Sequence, residues 1–388
     1  MASLLLPIIY LAFISLGLPD ALLGAAWPTM YPQLGAQVSW AGGVSMIISA
    51  CTILSALASD RLNERLGTGR VTAISVATTA AALFGFSFCH AFWQLCLWAI
   101  PYGLGAGSVD AALNNYVALH YKSRHMSWLH CMWGVGASLG PVIMGQALAG
   151  SGWQGGYRII GILQVVLTVV LLSSLPLWKL PQDAMGGAPF TPQHRSFPEL
   201  LKITGVPEVL VCFLCYCALE STAGMWASSY CTLVRGLDAQ TAASWASLFY
   251  LGITAGRFVS GFLTMKMSDR NMIRLGQVLI ALGILLVLLP AGNNVLLVGL
   301  ILIGLGCAPV YPCIIHETPV NFGRELSMSM TGLQMAFAYV GSCLAPPLFG
   351  LLAQNVTPRL YPWYLAVGLV VMVIMSESLH AKKAAEHR

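Results

Sequence analysis

Charge is what this sequence has least of. Asp, Glu, Lys and Arg together make up 9% of its 388 residues, against about a quarter in a soluble globular domain. So few charges cannot cover a water-facing surface, and a soluble globular chain is excluded. Polar low-complexity tracts are also missing, which excludes a disordered chain. So are the short alternating segments of a membrane β-barrel. There is no cysteine framework either: the 11 cysteines are scattered through apolar stretches and read as small hydrophobes. Even the close set Cys212, Cys215 and Cys217 has no loop Cys or His to complete a four-ligand site. No metal and no cofactor is therefore expected. The net charge of +5 is scattered rather than gathered into a patch, so nucleic acid is not an expected partner.

What the chain does have is apolar length. It is 57% hydrophobic, with a mean hydropathy of +0.76. Runs of ~20 residues, enough to cross a ~30 Å hydrocarbon core as a helix, recur from end to end. Polar or glycine-rich breaks divide them into twelve candidate spans, at 3–31, 39–59, 71–89, 92–120, 125–150, 155–178, 203–232, 239–264, 272–290, 294–317, 325–354 and 359–378. The fold class expected is an all-α polytopic membrane protein. The first span lacks a basic n-region and runs past the length of a signal peptide, so it reads as a mature helix. Fifteen basic residues fall on the side of the termini and only Arg158, Arg235 and Arg359 on the other, with Arg257 inside a span. The positive-inside rule then places both termini in the cytoplasm of a plasma (inner) membrane.

The longest polar break, 179–202, separates an expected six-helix bundle at 1–178 from a second at 203–388, and the two halves echo one another. Asp20 followed by Gly24 matches Glu220 followed by Gly224. Gly103-Leu-Gly105 matches Gly304-Leu-Gly306. Gly136-x3-Gly140-Pro141 matches Gly341-x3-Ala345-Pro346, and Ser59-Asp60-Arg61 matches Ser268-Asp269-Arg270. Four matches in one order at an offset of ~200 residues indicate an internal duplication. Duplicated halves with a midplane site mark a transporter. With the basic loop from Ala58 to Arg70, this organisation resembles the major facilitator superfamily. The loop is similar to that family's G-x-x-x-D-R-x-G-R-R pattern, although its opening Gly is replaced and its later spacing differs. Helix 1 (Gly17-Leu-Pro19-Asp20 to Pro28) and helix 4 (Gly103 to Asn115) most resemble the fucose permease branch of sugar–proton symporters.

An ionisable group at mid-bilayer costs roughly 2.5–3.5 kcal/mol even on the lenient insertion scale, so each one needs a reason. Asp20 shares a helical face with Gly17, Gly24 and Trp27 on a helix that Pro19 should bend. It is expected to bind substrate, couple protons, or both; the bland alternative is helix packing. Asp110 shares a face with Gly103, Gly107 and Asn114, and reads either as a coupling acid or as the static partner of a buried cation. The resemblance implies coupling carboxylates on helices 1 and 4, where Asp20 and Asp110 stand. Arg257 cannot lose its proton and needs a carboxylate, for which Asp110 is one candidate. Glu220 is the repeat-mate of Asp20 and reads the same way. Glu317, beside His316, is expected to reach interfacial water.

Trp27, Asn114, Asn115, His130, Trp133, Tyr311 and Gln334 complete the expected substrate-binding set. They supply stacking and amide or imidazole hydrogen bonds of the sort that hold hydroxyl-rich solutes. Asp60, Arg61, Asp269 and Arg270 are expected to form latches that hold the outward-facing state. No nucleotide-binding loop and no catalytic motif is present, so neither ATP drive nor an enzyme is expected. The expectation is a monomeric secondary transporter in a lipid bilayer. It would move a small polar solute such as a monosaccharide in symport with protons (or sodium) by alternating access. A proton-linked exporter of amphipathic compounds is the alternative.

Overall fold

The computed structural model describes residues 2–37, 40–179 and 195–386. Among these residues the chain forms sixteen α-helices: α1 (Ala2–Gly17), α2 (Leu22–Gln33), α3 (Ala41–Leu57), α4 (Ser59–Leu66), α5 (Thr68–Ser87), α6 (Phe92–His120), α7 (Ser123–Leu148), α8 (Gly152–Ser173), α9 (Phe197–Leu200), α10 (Val206–Leu233), α11 (Ala239–Leu263), α12 (Asp269–Leu288), α13 (Asn293–His316), α14 (Thr318–Phe322), α15 (Ser327–Asn355) and α16 (Tyr361–Glu386). Helix is the form in which each backbone group finds its partner inside its own segment, the condition lipid imposes. Ten segments are long and apolar enough to cross a membrane, with α1 and α2 counted as one. Helix α6, which carries the buried polar residues of helix 4, and α11, with its apolar stretch Ser247–Leu263, bring the number to twelve. Their outward faces are apolar: Leu54, Val166, Leu251 and Val367 all stand exposed.

The chain divides into two compact units. One takes in Met1–His120, Trp128–His194 and Arg324–Ala336; the other takes in Tyr121–Ser127, Arg195–Gly323 and Phe337–Arg388. Most of the expected linker, 180–194, lies outside the described residues. Its described remainder includes α9, opened by a capping box in which the Ser196 amide donates to Glu199 Oε2 at 2.8 Å.

The duplication is written into the packing of each unit. In the first, a Cβ at Gly103 would lie 2.4 Å from the Ile48 carbonyl oxygen, and one at Gly105 2.8 Å from that of Ser75. In the second, a Cβ at Gly304 would lie 2.3 Å from the Phe249 oxygen, and one at Gly306 2.6 Å from that of Gly276. Each Gly-Leu-Gly therefore seats its helix against two neighbours at once, in corresponding places, at distances no side chain permits.

Three local expectations change. The 2–3 connection is not a plain loop: Ser59–Leu66 forms α4, with Asp60 in its first turn and Arg65 in its last, which suits the helix dipole. The last helix runs on to Glu386 rather than ending near 378, because its polar end finds partners. Lys382 Nζ bonds Glu208, and His380 Nε2 lies 3.2 Å from Glu317 Oε2. The third change, in helix 1, shapes the candidate site.

Candidate functional site

Helix 1 is two helices. Pro19 has no N–H to give to the carbonyl four residues back, and α1 stops at Gly17 while α2 begins at Leu22. The Asp20 amide turns to the Gly17 carbonyl at 3.2 Å, and the Leu22 amide to that of Pro19 at 3.1 Å. Asp20 thus sits in the break, not on a continuous helical face. The 3/4/7 alignment with Gly17, Gly24 and Trp27 does not survive it. Gly17 faces the Trp133 backbone, Gly24 has open space beside it, and Trp27 is buried with its ring 6.4 Å from those of Tyr31 and Phe92.

Asp20 stands exposed at the break. Its Oδ2 accepts a 2.8 Å hydrogen bond from Trp133 Nε1, and its Oδ1 one of 3.3 Å from the Tyr102 hydroxyl. Both donors are neutral. Among the described residues no basic side chain pairs with Asp20. Close approach of α7 makes the Trp133 contact possible: a Cβ at Gly136 would lie 2.0 Å from the Ile14 oxygen, and one at Gly140 2.0 Å from that of Leu18. The glycine pair read from the sequence as a close helix contact is seated against the break itself.

About two turns beyond Tyr102 on α6, polar groups form a buried chain. Asn114 Nδ2 donates to Asp110 Oδ1 at 2.8 Å, and Asn114 Oδ1 faces His130 Nε2 at 2.9 Å. Because the amide gives its N–H to the carboxylate, its oxygen must accept, which puts the imidazole proton on Nε2. The His130 ring meets Phe13 edge-on at 5.4 Å. Asp110, Asn114 and His130 are all less than 7% exposed. Asn115 accepts a 2.5 Å hydrogen bond from Ser327, and Gln334 on α15 is fully buried in the same unit.

The second unit answers differently. Helix α10 runs unbroken through Glu220. Glu220 Oε2 accepts from the Tyr216 hydroxyl and lies 3.5 Å from Arg257 Nη2. The Tyr216 hydroxyl also lies 2.9 Å from the Cys307 carbonyl oxygen. The guanidinium is 4% exposed and the carboxylate 23%. Tyr311 packs into the same wall, tilted 4.7 Å from the Phe213 ring and edge-on 6.1 Å from that of Tyr216. Trp226 donates to the Pro346 carbonyl at 3.0 Å.

Both loop aspartates are held by a serine at the start of a long helix. Asp60 Oδ2 accepts from Ser329 at 3.0 Å within the first unit. Asp269 Oδ1 accepts from Ser123 within the second, and its Oδ2 lies 2.6 Å from His316 Nδ1. Arg61 is exposed, and Arg270 reaches Glu377 at 3.3 Å. Glu317 Oε2 lies 3.2 Å from His380 Nε2, with its side chain 15% exposed. No group of three His, Cys, Asp or Glu side chains among the described residues is arranged to hold a metal. Sequence reading left out Tyr102 as a partner of Asp20, and it left out Ser15 and Gln164 altogether.

Comparison with known proteins accords with this geometry. An uncharacterized transporter of Sinorhizobium fredii, y4wD, is 24% identical over 344 residues, 86% of each chain. The probable nitrate/nitrite antiporter NarK1 of Thermus thermophilus is 27% identical, over 84% of this chain and 82% of that one. FucP in the outward conformation shares the fold with a TM-score of 0.77 at 14% identity, covering 96% and 97% of the two chains. A second structure, of the E. coli fucose:proton symporter FucP, gives 0.73 at 17%, covering 97% of each. The family model of the Major Facilitator Superfamily matches residues 9–246 and 235–386, and the chain belongs to that superfamily of membrane transporters.

Proposed function

We propose that this chain is a proton-coupled symporter of a small polar solute of the monosaccharide class, working by alternating access as a monomer in the plasma membrane with both termini cytoplasmic. The carrying observation is the contrast between the two repeat-mates. Asp20 is accessible in a helix break and held only by neutral donors, so it can take up or release a proton without breaking an ion pair. Glu220 is tied to a guanidinium that cannot be neutralised. The coupling role therefore goes to Asp20, with Asp110 behind it. The Glu220–Arg257 pair, walled by Tyr216 and Tyr311, serves the solute. Trp133, Asn114, Asn115, His130 and Gln334 supply further hydrogen-bonding groups, and Trp27 supports the break. The aspartates at 60 and 269, with Arg61 and Arg270, act as latches between states. The resemblance to the E. coli fucose:proton symporter supports the solute class.

The test is transport in proteoliposomes against a panel of monosaccharides, with and without an imposed pH gradient. Asp20→Asn should retain counterflow and lose accumulation against a gradient. Accumulation by Asp20→Asn equal to that of the parent would overturn the reading. Accumulation driven by a sodium gradient alone would replace the proton with sodium.

A further inference from the structure

Pro19 creates a debt that the helix cannot settle internally. In a continuous helix the N–H of residue 19 would bond the carbonyl of Ser15, and proline has none to give. The neighbouring amides do not substitute: that of Leu18 goes to the Ile14 carbonyl at 3.0 Å and that of Asp20 to the Gly17 carbonyl. An unbonded carbonyl in a membrane interior costs several kcal/mol. Here the donor comes from another helix. Gln164 Nε2, on α8, bonds the Ser15 carbonyl oxygen at 2.6 Å, and the Ser15 hydroxyl returns a 2.6 Å bond to Gln164 Oε1. The ring is buried, with Ser15 6% and Gln164 2% exposed. Gln164 is the one amide in the otherwise apolar run Gly161-Ile-Leu-Gln164-Val-Val-Leu.

The second half supplies a natural control. Leu219, not proline, precedes Glu220, and α10 is unbroken. The stretch of α16 at an offset of ~200 residues, Tyr364-Leu-Ala-Val-Gly-Leu369, has no amide side chain. Proline and glutamine occur together where the helix breaks, and neither stands where it does not.

We propose that Gln164 is a positioning residue: by capping the carbonyl that Pro19 leaves without a donor, it fixes the break in the geometry that aims Asp20 at Tyr102 and Trp133. This rests on the reading of Asp20 as the coupling acid. The titratable groups facing Asp20 are Tyr102 and, through its field, Asp110, both on α6. Helix α7 brings the neutral Trp133, and α8 brings the neutral Gln164 to the break.

The test reads Asp20 directly in the purified full chain. Its modification by a hydrophobic carbodiimide, which reacts with protonated carboxyls, is followed by peptide mass spectrometry from pH 4 to 9. Gln164→Met should move the midpoint of the labelling curve by roughly half a pH unit or more. Pro19→Ala returns an N–H to position 19, so adding Gln164→Met to Pro19→Ala should move it no further. An unchanged midpoint in Gln164→Met, or an equal shift in both backgrounds, would overturn the proposal. Should Gln164→Met not fold, Ser15→Ala, which removes only the returned bond, should give a smaller shift, and a wild-type curve would count against the proposal. Asp20 labelling in the unaltered protein that does not vary with pH would instead remove the coupling reading beneath it.

Discussion

Breaking the Glu220–Arg257 pair from its two sides should have unequal consequences. The two charges lie 3.5 Å apart, with the guanidinium 4% and the carboxylate 23% exposed. Removing one partner of a buried pair typically costs about 3–5 kcal/mol, because the charge left behind has been desolvated without compensation. In Glu220→Gln that charge is a guanidinium, which stays protonated at any workable pH, so the full ~3–5 kcal/mol is expected. In Arg257→Met the charge left behind is a carboxylate that still accepts from Tyr216 and is 23% exposed. That hydrogen bond and the exposure limit the penalty, to roughly 1–3 kcal/mol. The double variant leaves no charge and should recover most of the loss. The assay is thermal unfolding in detergent, followed with a thiol-reactive dye, since cysteines such as Cys217, Cys307 and Cys313 are buried and react only as the fold opens. At roughly 2–4 °C per kcal/mol for a unit of this size, Glu220→Gln should lower Tm by about 6–20 °C and Arg257→Met by about half as much or less. Equal losses from the two single variants, or a double variant as unstable as their sum, would refute the reasoning.

Gly136→Ala and Gly140→Ala should each lower Tm, because their Cβ atoms would fall 2.0 Å from the Ile14 and Leu18 oxygens and overpacking costs about 1–3 kcal/mol. Gly145→Ala, with nothing within 4 Å, should leave the same melt unchanged. Asn114→Leu removes a donor from Asp110 and an acceptor from His130. At about 1 kcal/mol for each hydrogen bond removed, it should destabilise more than His130→Phe, which removes one, in a side-by-side unfolding series. Leu219→Pro should be far more damaging than Pro19→Ala, by about 3 kcal/mol, because the corresponding stretch of α16 carries no amide to take over the orphaned Cys215 carbonyl; expression level and monodispersity read the difference.

The features legible in the sequence were those set by composition and by spacing along a single helix. Scarce charge and ~20-residue apolar runs indicated the spans, and paired glycines indicated where helices meet. Gly103 and Gly304 meet carbonyl oxygens in corresponding places, as the duplication required. Pro19 indicated a bend, and Asp20 proved to lie within it. Contacts between helices distant in sequence were not legible. Nothing in the spacing of Glu220 and Arg257 links those two residues in particular, and Asp110 stands in the sequence as a candidate partner for the same cation. Ser123 and Ser329 carried no signal as partners of the loop aspartates, since a serine at the start of a helix has ordinary uses there. Gln164 was visible as a lone amide in an apolar helix. Its meaning depended on asking where the carbonyl freed by Pro19 finds its donor, a question local periodicity does not raise.

The duplication conserves scaffold and diverges in chemistry. Glycine contacts with backbone oxygens repeat because only glycine permits that approach, so either half would lose its packing by changing them. The acids at positions 20 and 220 are free of that constraint, and each half surrounds its own differently. One has a broken helix, an amide clamp and neutral donors; the other has an unbroken helix and a guanidinium. An acid that must gain and lose a proton needs a site that tolerates both states. Neutral donors on a fixed break provide one, because the change of charge strands no buried cation. Glu220 instead lies 3.5 Å from a buried guanidinium, whose charge is permanent. On the proposed reading, corresponding positions of the two halves carry acids with different work: Asp20, between neutral donors, couples the ion, and Glu220, beside a guanidinium, serves the solute.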